Sequence, residues 1–166
     1  DACKIVKRDY NIKISVEEED GKMFLSIIDN GIGMSIAEIK NYYLTIGKSG
    51  KREVSNVDDL VGHFGIGALS MFLISDSIFV QTKKSGDSSI SFRMYTDSTK
   101  SSKEVQLENT TSYYEDDSYT FVRLELKKEY GDVLKEETCT SKFLEFFGLF
   151  DVIRGGVISF DVTTNQ

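Results

Sequence analysis

Ile27-Ile28-Asp29-Asn30-Gly31-Ile32-Gly33-Met34 decides how this chain is read. An apolar strand ends there in an acidic residue, two glycines alternate, and a helix follows. The run from Lys22 to Ile28 has the β-branched and apolar weight of a buried strand. Ser35 is a good N-cap, and Glu38 three residues on completes a capping box for a helix over 36–44. A carboxylate fixed at the mouth of a strand, beside glycines that let a flat ligand approach the backbone, accepts a hydrogen bond from an exocyclic amine such as adenine's. The same eight residues also suit a plain Asp-Asn-Gly turn.

A second glycine stretch, Gly62-His63-Phe64-Gly65-Ile66-Gly67, runs into Ala68-Leu69-Ser70-Met71-Phe72-Leu73-Ile74 and reads as a loop opening a helix over 65–74, apolar nearly all round and so expected to be buried with its amino end facing the ligand. A helix N-terminus carries unpaired N–H groups and the positive end of the macrodipole, so it holds phosphate with few charged side chains. Two such loops in one small domain point to one shared site. The spacing here is G-x-x-G-x-G. A dinucleotide fingerprint would be G-x-G-x-x-G, and the first stretch has Ile36 where a third glycine would stand. No G-x-x-x-x-G-K-[ST] occurs, which removes the ordinary P-loop.

The ordered set Asp29-x-Gly31-x-Gly33-Met34, Thr45-Ile46-Gly47-Lys48-Ser49-Gly50 and Gly62-His63-Phe64-Gly65-Ile66-Gly67 resembles the GHKL ATPase superfamily. That group contains DNA gyrase B, the ninety-kilodalton heat-shock chaperone, the MutL proteins, the microrchidia ATPases and the histidine kinases. The chaperone's nucleotide domain is similar over Asp1 to Lys83, and past that point the likeness narrows to the strand Tyr119 to Leu124. The resemblance implies an α/β sandwich, a mixed and mostly antiparallel sheet with helices on one face, of the Bergerat type. It implies ATP with Mg2+ as ligand. Asp29 would then fix adenine, Gly31 and Gly33 would permit close approach, and Met34 would supply apolar contact. Gly65, Ile66 and Gly67 would offer backbone amides to phosphate.

Other assignments carry two readings each. Lys48, in the glycine- and charge-rich loop 45–60, either reaches phosphate or is a solvated loop lysine, and the resemblance makes that loop a short lid over nucleotide. Thr120 matches the family's threonine near adenine, or is simply a β-favoured residue on a sheet. Asp1-Ala2 matches the end of a helical signature in which a Glu activates water and an Asn binds magnesium; those two residues are expected upstream of Asp1. The chain is therefore expected to be a single domain over 1–166 that lacks an N-terminal helix and strand, with no residue of its own assigned to catalysis or metal. Ala68 stands where the chaperone family places an aromatic residue.

Composition bounds the rest. The 166 residues suffice for one packed core, with 40% hydrophobic and 28% charged residues as in ordinary globular proteins. A net charge of -7, from 27 acidic and 20 basic residues, argues against direct nucleic-acid binding by this domain. Cys3 and Cys139 form no CxxC and read as free thiols of a reducing, cytoplasmic setting. No apolar run is long enough for a membrane span. His63, the single histidine, reads as structural.

Further along, Ile12 to Glu17 alternates as a half-buried strand, and Glu19-Asp20-Gly21 turns it into Lys22 to Ile28. Strands are expected at 77–83, 89–95, 105–107, 119–126 and 157–162, and a helix within 131–149 carrying Phe143, Phe146 and Phe147. Two function classes stand at this stage. One is the ATP-binding domain of a chaperone-like or MutL/microrchidia-like ATPase that hydrolyses ATP with magnesium in the full-length protein to drive conformational change, with a homodimer left open. The other is a non-catalytic nucleotide-binding or scaffold module of the same fold.

Overall fold

The computed structural model describes residues 11–40, 67–95, 106–108, 111, 112, 114, 116–130 and 157–163. Strands β1 (Asn11–Glu19) and β2 (Lys22–Asp29) form a hairpin. Its tip places Asp20 and Gly21 at φ of 50° and 75°, the pair of left-handed residues that lets a two-residue turn follow the strand twist. The other strands are β3 (Ser75–Lys83), β4 (Ile90–Tyr95), β5 (Gln106–Glu108), β6 (Tyr119–Leu126) and β7 (Val157–Thr163). They join one seven-stranded sheet in the order β5-β4-β3-β6-β2-β1-β7. Every pairing is antiparallel except β1 with β7, which is parallel. The expected mixed, mostly antiparallel sheet is present.

The helical segments α1 (Ile36–Glu38), through its C-cap Ile39, and α2 (Gly67–Ile74) lie against the same face of that sheet. Strand alternation explains which face. Leu25, Ile78, Val80, Phe92, Met94, Val122, Leu124 and Leu126 share one side with Val16, and Ile39, Met71, Phe72 and Ile74 pack onto it. These inward residues make the main core, and Val16, Ile78 and Val80 are wholly buried. At about 25 cal/mol per Å2, burying each such side chain is worth roughly 1.5–3 kcal/mol.

Two expectations are corrected here. The helix of the second glycine stretch was expected to be buried, being apolar nearly all round, yet Leu73 is 68% exposed. The sheet lies on one side of α2 only, so an apolar helix has more greasy surface than this face can take. Strand β3 also starts two residues before the expected Ser77, because α2 runs into it without a loop. The Ser75 hydroxyl donates to the Met71 carbonyl (2.5 Å), while the Lys127 N–H and Nζ donate to the Ile74 and Leu73 carbonyls (3.0 and 2.9 Å). The helix-end carbonyls are thus satisfied by a neighbouring strand's exit, and the Lys127 charge complements the negative end of the dipole.

The opposite face of the sheet is polar and aromatic. Gln81, fully buried, accepts from the Tyr119 hydroxyl (2.7 Å) and donates to Ser91 Oγ (2.9 Å) and the Thr111 carbonyl (3.1 Å). Tyr114 packs edge-on against Tyr119 at 5.6 Å between centroids. Further along the face, Arg123 lies 4.3 Å over the Phe24 ring and pairs with Glu19. Among the described residues, no helix is long and apolar enough to cross a membrane. The expected helix within 131–149, the loop 45–60, Cys3, Cys139 and His63 lie outside the described residues.

Candidate functional site

Three strands that are distant in sequence bring three polar residues into one row. Asp29 closes β2 opposite Thr120 on β6, and Thr120 stands opposite Thr82 on β3. All three fall on the face that carries the helices, continuing the parity of Ile27, Val122 and Val80. Polar side chains at inward positions need partners, and each of these has one.

Past Asp29 the chain turns sharply. The Gly31 N–H donates to Asp29 Oδ1 (2.8 Å), an Asx-type turn that holds the carboxylate at the strand mouth. Asn30 anchors the turn to the first strand, its Oδ1 accepting from the Asn11 N–H (2.8 Å) and its own N–H donating to the Asn11 carbonyl (3.3 Å). Gly33 follows at φ +66°. A β-carbon there would stand 1.9 Å from the Lys83 carbonyl oxygen, so the fold itself supplies a reason for glycine. The sequence had given that glycine to an approaching ligand; in the structure, main chain of β3 fills the space where its side chain would stand.

Three consecutive residues of β3 and its exit then pin the loop. Thr82 Oγ1 accepts from the Met34 N–H (2.9 Å), the Lys83 carbonyl abuts Gly33, and Lys84 Nζ donates to both carboxylate oxygens of Glu38 (2.9 Å each). Glu38 also completes the expected capping box: it accepts from the Ser35 N–H (2.8 Å), and Ser35 Oγ accepts from the Glu38 N–H (3.3 Å). Burial works against the Glu38 charge, but the bonds from Ser35 and Lys84 outweigh it and hold the carboxyl below its usual value. The helix expected over 36–44 is described only as Ile36–Glu38, followed by a wider turn at 39 and 40.

Asp29, Gly31, Gly33, Met34 and Thr120 are therefore brought together. Gly67 is the first described residue of α2. Asp1, Ala2, Lys48, Gly65 and Ile66 lie outside the described residues. Thr82 and Lys84 were missed from the sequence. The available signal was parity: after Ile78 and Val80, an inward polar residue at 82 breaks an apolar alternation. Among the described residues no group of three or more His, Cys, Asp or Glu side chains is arranged to hold a metal ion.

The arrangement can grip a base edge by hydrogen bonds at a strand mouth, on a loop held rigid by main chain. Several known proteins are similar to this chain in sequence. The chaperone protein HtpG of Colwellia psychrerythraea is 36% identical over 88 residues, 48% of this chain and 13% of its own length. Those of Bacillus licheniformis and Clostridium botulinum are 37% and 38% identical over 92 residues, each covering 52% of this chain. The chain thus spans about 13–14% of the length of these relatives. A family model described as histidine kinase-, DNA gyrase B- and HSP90-like ATPase matches residues 7–129. With three quarters of its length inside that match and the strand-mouth aspartate and glycine loop within it, the chain belongs to the GHKL-type ATPase family, on the side of the HSP90-like chaperones.

Proposed function

We propose that this chain is the ATP-binding domain of a chaperone-like ATPase that, in the full-length protein, hydrolyses ATP with magnesium to drive a conformational change. The observation that carries the reading is the Asp29–Thr120–Thr82 row with its pinned glycine loop. A carboxylate and a hydroxyl side by side on neighbouring strands match the amino edge of adenine, and an Asx turn fixes the carboxylate before ligand arrives. Met34, half-buried against the main core, adds an apolar wall to the same site. Gly65, Ile66 and Gly67, which lead in sequence into the second helix, would offer amides to the phosphates, with Lys48 as a further cation. Magnesium would bridge phosphate oxygens when bound; no group of the described residues is assigned to it. The proposal assigns the water-activating base to the full-length protein and to none of the described residues, and it includes coupling of the cycle to a homodimer in the cytoplasm.

The test separates recognition from chemistry. Asp29→Asn keeps size and fold but turns an acceptor into an amide whose donors face an amine, costing roughly 1–3 kcal/mol of ADP affinity, about 5- to 150-fold. Calorimetric titration of the full-length protein and its variant reads this, with phosphate release measured alongside. Unchanged ADP affinity sinks the adenine assignment. Tight binding with no phosphate release would favour the non-catalytic module instead.

A further inference from the structure

We infer that Thr82 is a positioning residue: by saturating its own hydroxyl it fixes Thr120 as a hydrogen-bond acceptor toward the ligand, and so selects a base edge that leads with an amine. This rests on the reading that the site binds a nucleotide.

The argument is a count of protons. A threonine hydroxyl has one hydrogen and two lone pairs. Thr82 is wholly buried and its oxygen has three neighbours: the Met34 N–H at 2.9 Å, the Tyr119 carbonyl at 3.0 Å and the Thr120 hydroxyl at 3.2 Å. An N–H can only donate, so Met34 takes one lone pair. A carbonyl can only accept, so Tyr119 takes the proton. One lone pair is left for Thr120, which must therefore donate. All three contacts are satisfied together in this one way. Thr120 is half-buried and has Thr82 as its one hydrogen-bond partner among the described residues. With its proton committed sideways to Thr82, what it presents elsewhere is lone pairs. Asp29, in register on the adjacent strand, contributes carboxylate oxygens beside it. Directed at the 6-position, two acceptors suit a 6-amino purine, whose amine has two hydrogens to give, and oppose the oxygen of a 6-keto purine, whose N1–H can answer only one of them.

The experiment compares ADP with inosine diphosphate on the full-length protein by calorimetry. Wild type should prefer ADP by about tenfold or more, the size expected when a polar atom is buried without a partner. Thr82→Val keeps the shape and removes the hydroxyl, which releases the Thr120 proton to turn toward a keto oxygen. The ADP preference should fall by about threefold or more, whereas Thr82→Ser should keep the wild-type ratio. A merely structural Thr82 would weaken both nucleotides alike and leave the ratio where it was. Thr82→Val also strips partners from two buried backbone groups, so Thr120→Val serves as the second variant. Position 120 is half-buried on a strand, where valine fits, and losing its acceptor should lower the ratio in the same sense. An unchanged ratio in Thr120→Val, or in a folded Thr82→Val, overturns the inference while ADP binding stands. Wild type that binds neither nucleotide overturns the nucleotide reading, and this one with it.

Discussion

Replacing Gly33 by alanine should unlatch the loop that carries Asp29, and the structure sets the size of the effect. Gly33 sits at φ +66°, where a β-carbon costs about 1–2 kcal/mol in backbone strain. That β-carbon would also lie 1.9 Å from the Lys83 carbonyl oxygen, 2.5 Å from the Lys83 carbonyl carbon and 3.1 Å from the Lys84 nitrogen. Main chain of a paired strand cannot give way, so the loop must rise by more than about 1 Å to reach ordinary contact distance. The Met34 N–H to Thr82 bond, now 2.9 Å, breaks on that movement, leaving buried groups unpaired at about 1–3 kcal/mol. Together these give about 2–5 kcal/mol, or a fall in Tm of about 5–20 °C for a domain this size. Gly21 supplies the control, at φ +75° with nothing within 4 Å of an added β-carbon. Gly21→Ala bears the backbone strain alone and should cost about 1–2 kcal/mol; any relief from stiffening the unfolded chain is common to both variants. Thermal unfolding of the two variants, with amide exchange at Met34 as the local readout, measures the difference. If Gly33→Ala melts within about 2 °C of Gly21→Ala and Met34 keeps its protection, the latch argument is wrong.

Two other predictions follow from the same hydrogen-bond accounting. The Glu38 carboxyl titrates below its usual value because Ser35 and Lys84 outweigh the burial that opposes its charge, so its stabilisation is fully present above the unfolded carboxylate value and is lost as pH falls through the lower native one. With both partners about a third exposed, Glu38→Gln should cost only about 0.5 kcal/mol near neutrality, and the gap in Tm to wild type should close in acid; a gap that persists undiminished at about pH 3 contradicts the assignment. On the opposite face, Tyr119→Phe removes the donor to the buried Gln81 carbonyl and should lower the urea midpoint by the equivalent of about 1–2 kcal/mol at unchanged slope, with ADP affinity intact. A wild-type midpoint would mean the network contributes nothing.

Much of the sheet could be read from the chain because its strands alternate. Ile12, Ile14 and Val16 declare an inward face, as do Val122, Leu124 and Leu126, and the Asp20-Gly21 tip announces its hairpin. Periodicity is a local signal, and it says nothing about which strands become neighbours. That β6 inserts between β2 and β3, or that β7 pairs in parallel with β1 across some 140 residues, is fixed by packing across the whole sheet. Hence Asp29 and Thr120 were legible as separate residues, whereas their alignment with Thr82 was not. The packing reason for glycine at 33 was hidden for the same cause: its close neighbour, the Lys83 carbonyl, lies fifty residues away and has no side-chain signature. Helix α2 failed differently. With apolar residues on every side it has no preferred inward stripe, so nothing in its pattern could mark Leu73 as the exposed position.

Strand β3 is a strut with a load at each end. Its first residue continues α2 without a linker, and its last residues grip the loop around Gly33, Met34 and Glu38. The loop around Gly33 and helix α2 are far apart in sequence, yet both are braced by one strand only nine residues long. A displacement of the loop therefore has little local slack to absorb it, because two of its three brackets are backbone and a buried hydroxyl, and only the third, Lys84 with Glu38, is a part-exposed side-chain pair. It passes into β3 and from there to the carboxyl end of α2, where Lys127 ties the helix to the exit of β6. The consequence is mechanical: one nine-residue strand braces both the loop around Gly33 and the carboxyl end of α2, so a strain applied at either is shared with the other.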